Sequence, residues 1–209
     1  MGALMMSAAD AVAQSSPRIE ISGGGIFAGG VDLGNRTAQL TSNTPAGTPS
    51  TFFVTGSDMK SAPGVQGRLG FFVTRSLAIE GGVRIARPKL EVSITNDVES
   101  AANIRADETV SQYLFDGSAV WHFKGGRDAA GTVPFLFGGA GYLRELHEEG
   151  ALVEEGAEYH AGGGVKWWHG PGRAIGIRVE ASISIRDGGV DAEGRHVVPV
   201  AAGYVAWRF

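Results

Sequence analysis

The sequence predicts an all-β fold: eight antiparallel strands, running up and down and closed into a barrel whose apolar face is turned outward. Three observations predict it. Apolar residues recur with a period of two in eight segments. The connectors between those segments alternate long and short. Large rings gather toward segment ends, while the middles are mostly Gly, Ala, Val and Ile. The last segment carries the pattern to its final residue: in "AAGYVAWRF" (201–209), Val205, Trp207 and Phe209 stand on alternate positions. The last residues of a soluble domain are usually poorly ordered unless tied down. A terminus written this way is pinned in a sheet with one face kept from water.

Composition narrows the class. The chain has 209 residues, of which 43% are hydrophobic and 19% charged, so intrinsic disorder is excluded. The 33 glycines have no period of three, which excludes collagen. The absence of Cys excludes disulfides, thiolate metal sites and a Cys nucleophile. A net charge of −4 with scattered Lys and Arg gives no reason to expect nucleic acid. Every apolar run falls far short of the roughly 18–20 residues of a transmembrane helix, so a membrane role must come from strands. Residues 1–16, "MGALMMSAADAVAQSS", contain Ala11-Val12-Ala13, an A-x-A cleavage pattern. They are read as the remnant of a secretory signal, the alternative being a disordered tail, and residues 17–209 as one barrel domain.

Taken in order, the segments are "RIEISGGGIF" (18–27), "GRLGFFVT" (67–74), "LAIEGGVRIA" (77–86, continuing toward Val92) and "VSQYLFDGSAVWHF" (110–123). They continue with "VPFLFGGAGYLRE" (133–145), "AEYHAGGGVKWW" (157–168), "AIGIRVEASISIRD" (174–187) and "VVPVAAGYVAWRF" (197–209). The seventh is the plainest: Ile175, Ile177, Val179, Ala181, Ile183 and Ile185 share one face, and Arg178, Glu180, Ser182, Ser184 and Arg186 share the other. The connectors 28–66 and 87–109 are long, 146–156 and 188–196 moderate, and Arg75-Ser76, 124–132 and 169–173 short. An even-stranded meander with long loops at one end and short turns at the other is the pattern of a transmembrane β-barrel of the bacterial outer membrane. Rings at the short-turn end, Phe71, Trp121, Phe123, Trp167, Trp207 and Phe209, form an expected aromatic girdle, and all four Trp lie at that end.

"GRLGFFVTRSLAIEGGVR" (67–84), "VPFLFGGAGYL" (133–143) and the ending "GYVAWRF" (203–209) resemble the small eight-stranded outer-membrane barrels similar to the OmpA transmembrane domain. The resemblance covers about residues 17 to 209 and implies an architecture rather than an activity. It implies outer-membrane lipid and lipopolysaccharide as surroundings and a monomer. It also implies recognition by the barrel-assembly machinery through the C-terminal Phe209.

With apolar residues outward, the inward set includes Glu20, Ser22, Arg68, Glu80, Arg84, Gln112, Asp116, His122, His160, Lys166, Arg178, Glu180, Tyr204 and Arg208. The lumen of eight strands is just wide enough for side chains, and buried charges must be paired. A network of Glu80, Arg84, Asp116, Lys166, Arg178 and Glu180 is expected, with Arg84 and Asp116 at similar heights on neighbouring strands. Its bland role is a structural plug; the sharper one is a gate over a narrow pore. No catalytic site and no cofactor is expected: H-x-S, needed for a deacylase-like pair, is absent, and Asp187, Asp191 and His196 share one solvated loop. His147 among Glu148, Glu149, Glu154 and Glu155 could hold a divalent cation, although an acidic surface loop explains it as well. The rival to the membrane barrel is a soluble, secreted lipocalin-like barrel with its apolar face inward around a small apolar ligand.

Overall fold

The computed structural model describes residues 18–40, 50–96, 102–123, 125–127, 130–147, 152–169, 174–190 and 194–209. The expected signal remnant at 1–16 lies outside the described residues. The strands are β1 (Ile19–Ala28), β2 (Val31–Leu40), β3 (Ser50–Met59), β4 (Ala62–Phe72), β5 (Leu77–Ala86) and β6 (Lys89–Thr95). They continue as β7 (Ile104–His122), β8 (Gly131–His147), β9 (Val153–His169), β10 (Ile175–Gly188) and β11 (Arg195–Arg208).

Eight of these close the barrel in the order β1-β4-β5-β7-β8-β9-β10-β11, every neighbour antiparallel. The seam pairs β1 with β11 from Glu20↔Arg208 to Ala28↔Val200. Each predicted segment lies on one barrel strand, because each kept an unbroken alternation for the whole span. Closure leaves no free edge in the barrel wall, the condition for a sheet to sit in hydrocarbon.

Alternation decides which face meets the outside. Ile19, Ile21, Leu69, Phe71, Ile79, Trp121, Leu136, Ile177, Val179, Ile183, Val205 and Trp207 are all exposed, and their in-register neighbours point the same way. On β10 this face is apolar from Ile175 to Ile185, which matches the roughly 9–11 residues a strand needs to cross a bilayer. The next outward positions beyond it toward the long connectors are charged: Arg87, Arg144, Asp187 and Arg195. The lipocalin alternative fails here, since it requires Ile175, Ile177 and Val179 inside and Arg178 and Glu180 in water; the reverse holds.

The expected long loop at 28–66 is largely sheet. β2 and β3 prolong β1 and β4, β6 prolongs β5, and the first part of β7 pairs with β6. Four strands therefore rise beyond the barrel on one side as a flange, β2-β3-β6-β7. One face of it carries Phe53, Val92 and Ile94, in phase with the buried Met59 and Leu90. The other carries surface ion pairs, Lys60–Glu91 at 3.1 Å and Lys89–Asp107 at 3.2 Å.

At the foot of the flange, His147 joins three strands. Its Nδ1 lies 3.0 Å from Glu108 Oε2 on β7 and its Nε2 3.5 Å from Glu154 Oε2 on β9. With one carboxylate on each ring nitrogen, the arrangement bridges strands rather than chelating an ion. Among the described residues no group of three acidic or His side chains is placed to hold a metal; Glu148 and Glu149 lie outside them. The hydrogen bond to Glu108 raises the His147 pKa above its ordinary value, against the opposing effect of burial.

A raised folded-state pKa contributes stability that is fully present below the unfolded value, near 6.5, and lost as pH rises through the folded one. Amide exchange at 104–109 is expected to quicken as pH rises through this window, after correction for intrinsic rates, and His147→Gln should abolish the dependence. A second expectation concerns packing. A Cβ on Gly164 would strike the Val179 carbonyl and come within 2.7 Å of Phe135 Cζ, whereas one on outward Gly203 meets nothing within 4 Å. Gly164→Ala should cost about 1–3 kcal/mol by overpacking, and Gly203→Ala less than about 0.5 kcal/mol, read from urea midpoints of the refolded protein.

Candidate functional site: a charged lumen

The inward face is where this chain concentrates its chemistry. Strand alternation turns every second side chain into a space bounded on all sides by sheet. Among the described residues it buries six carboxylates, Glu20, Glu80, Asp116, Glu145, Glu158 and Glu180, and six cations, Arg68, Arg84, Lys166, Arg178, Arg186 and Arg208. The two sets balance. An isolated ion would cost many kcal/mol in such a place, so each must be matched.

The middle tier is organised by Arg178, which is 0% exposed. Its Nε donates to Glu180 Oε2 at 2.7 Å on its own strand, and its Nη1 donates to both oxygens of Glu80 at 2.9 and 2.8 Å across the lumen. The guanidinium also lies 4.6 Å from the Phe135 ring centre and 5.6 Å from that of Tyr204. Lys166 donates to Glu20 at 2.6 Å and stands 3.5 Å from Glu80. Arg68 reaches Glu80 and Asp116, each at 3.3 Å. Tyr204 donates its hydroxyl to Glu180 at 2.9 Å. The Gln66 amide lies 2.8 Å from the same hydroxyl and is best satisfied with its nitrogen turned toward it.

The upper tier is separate. Glu158 accepts from Arg84, from Arg186 at 3.1 Å and from Ser184 at 2.9 Å. Above it Gln112 donates to Glu145 at 2.6 Å, and the Val190 amide donates to the same carboxylate at 2.8 Å. At the short-turn end Lys166 lies 3.0 Å from His122 Nε2. Arg208 covers Trp168 at 4.2 Å and donates to the carbonyls of Gly126 and Arg127 at 3.3 Å, so a connector is drawn across the opening.

The six residues expected to form the lumen network are all buried. Glu80, Lys166, Arg178 and Glu180 meet directly, and Asp116 joins them through Arg68. Arg84 does not pair with Asp116. The register sets Asp116 opposite Gly82 and Arg84 opposite Leu114, one step of the alternation apart, and Arg84 turns up to Glu158 instead. Glu158 was the partner sequence reasoning missed, and Arg186, already placed on the face of Arg178, was left out of the expected network. Glu158 stands in phase with His160, which was signal enough to place it inward. Of the girdle residues, Phe71, Trp121, Phe123, Trp207 and Phe209 are exposed and Trp167 is half-buried. Trp168, Phe72 and Phe135 turn inward despite lying at the same end.

The tier also contains Ser118, His160 and Asp116, the residue types of a hydrolytic triad. Ser118 Oγ is 2.8 Å from His160 Nε2, and Asp116 Oδ1 is 3.9 Å from that same nitrogen. A triad needs the carboxylate on the other nitrogen, and His160 Nδ1 has no hydrogen-bond partner among the described residues. The void beside Asp116 and His160 is about 10 Å³, room for one water at most.

No protein-family model matches the chain, and no curated protein matches it. Solved structures do. Neisserial surface protein A aligns over 91% of this chain and 97% of its own at 12% identity, with a TM-score of 0.56. The outer membrane protein OprG of Pseudomonas aeruginosa aligns over 93% and 95% at 11% identity, with a TM-score of 0.49. At such identities the likeness is one of fold: the chain is a closed, eight-stranded antiparallel β-barrel, the architecture of the small outer-membrane barrels.

Proposed function

We propose that this protein spans the bacterial outer membrane as a monomeric, non-catalytic barrel whose lumen is a structural plug and whose flange stands on the cell surface. The observation that carries the reading is the pairing of an unbroken apolar outer face with a charge-balanced, packed interior. No water-soluble protein gains by exposing that many large aliphatic side chains around its whole girth. On this reading the rings of the short-turn end sit at the periplasmic interface, outer-membrane lipid and lipopolysaccharide surround the wall, and Phe209 is the residue read by the assembly machinery.

Refolding tests the membrane part. Unboiled and boiled samples should differ in gel mobility when the chain is refolded in detergent and not when it is refolded without it. A chain that folds and stays soluble without detergent overturns the reading.

Plug and gate separate in a planar bilayer. The wild-type protein should show no unitary conductance steps, because two tiers of paired charge and the Arg208 contacts block the axis. Steps in the wild type that change with Arg84→Ala would replace the plug by a gate. Arg178→Met leaves Glu80 and Glu180 without their closest cation, and breaking a buried pair from one side should cost about 3–5 kcal/mol in urea unfolding. A cost below about 1 kcal/mol would remove Arg178 from the centre of the plug.

A further inference from the structure

The short-turn end has a sign of its own. Arg18 precedes β1, Arg75 lies in the β4–β5 turn and Arg127 in the β7–β8 connector. Backbone hydrogen bonds set them along one arc of the rim. The Phe72 amide donates to the Arg18 carbonyl at 2.8 Å, three residues before Arg75, and the Arg127 amide donates to the Arg75 carbonyl at 3.1 Å. Arg18 and Arg75 are exposed and Arg127 is half-buried with its Nε inside; Arg75 and Arg127 also hold contacts within the protein, so phosphate would take their remaining N–H donors. In sequence the connectors at this end add Lys124 and Arg173 against one acid, Asp128. The lumen is balanced, so this end is net positive and the chain's charge of −4 is carried elsewhere.

The same arc is rimmed by rings. Phe71, Trp121, Phe123 and Phe209 are exposed just inside it, at the depth where rings settle at headgroup level. Guanidinium groups immediately beyond an aromatic belt stand at the height of lipid phosphates, which they bind through paired N–H donors. We propose that the arc Arg18–Arg75–Arg127 binds the phosphates of anionic phospholipids and holds the barrel in the leaflet on the short-turn side. The proposal rests on the membrane reading above.

The protein carries its own reporters, since Trp121, Trp167 and Trp207 sit on the outward face at this end. The full chain would be reconstituted in phosphatidylcholine vesicles containing a fixed fraction of acyl-brominated phosphatidylcholine or acyl-brominated phosphatidylglycerol, and Trp quenching compared. The expected result is an apparent affinity for the brominated anionic lipid about fivefold above that for the zwitterionic one at low salt, from roughly one basic residue's worth of surface attraction. The ratio should fall toward one in 1 M salt and in the triple variant Arg18→Gln, Arg75→Gln, Arg127→Gln. The salt series uses the wild type alone, so a variant that fails to refold does not rescue the proposal. Equal quenching by both lipids overturns the proposal and leaves the membrane reading standing. Quenching by neither overturns both. A preference that survives the triple substitution removes these three arginines.

Discussion

The guanidinium of Arg178 has no water to retreat to, and much of the interior is arranged around that fact. The sheet closes, so every wall strand pairs both its edges; eight strands close tightly, so the lumen holds side chains and little else. A charge placed there must find its partner across the lumen. Arg178 on β10 reaches Glu80 on β5, the far wall, and so ties together strands that share no backbone hydrogen bond. Phe135 and Tyr204 close on its faces, and Gly164 leaves the room that Phe135 occupies. Ion pair, ring and missing side chain are parts of one fit, and changing any of them disturbs the others.

The barrel strands were legible because each keeps an outward face free of charge along the wall, and on β10 the opposite face carries the charges. On β10 nothing blurs the alternation, and Ile175 to Arg186 reads the same in sequence as in space, whereas β8 and β11 also turn apolar side chains such as Phe135 and Val200 inward. The facing of Glu20, His122, Lys166 and Arg208 followed from the same rule. What did not follow was who meets whom. Partner choice across a lumen depends on strand tilt and stagger, which period-two patterning does not encode, so Arg84 looked level with Asp116 but turns to Glu158 one step up. The flange was missed for the opposite reason. In β2 and β3 both faces are part-exposed, small polar residues such as Thr37, Thr55 and Ser57 fall on either side, and the alternation fades into what looks like loop chemistry. Its signal lay in continuity: β5 already seemed to run on toward Val92, and a strand prolonged past the barrel needs a neighbour prolonged with it.

The flange also makes the molecule lopsided about its own axis. β1, β4, β5 and β7 continue into it, while the β8–β9 and β10–β11 pairings end near the rim, at Leu146↔Val153 and Asp187↔Arg195. One half of the wall is thus a tall sheet with an ion-paired outer face, and the other a low edge. His147 sits at the step between the halves, where β7 leaves β8 and goes on alone with β6.

The seam of the barrel has a further consequence, for the order in which the chain assembles. Each other pairing in the wall joins strands adjacent in the chain or separated only by flange strands, β2 and β3 in one case and β6 in the other. The seam alone joins the two ends, Glu20 with Arg208. Bringing those ends together carries the largest loop-closure entropy of any contact in the protein, offset only when the rest of the sheet already holds them near. Seven pairings can therefore form by local zippering, and the eighth waits for them. The Glu20–Lys166 ion pair, which spans β1 and β9, cannot exist until it does. The charged lumen is the last part of this protein to become dry.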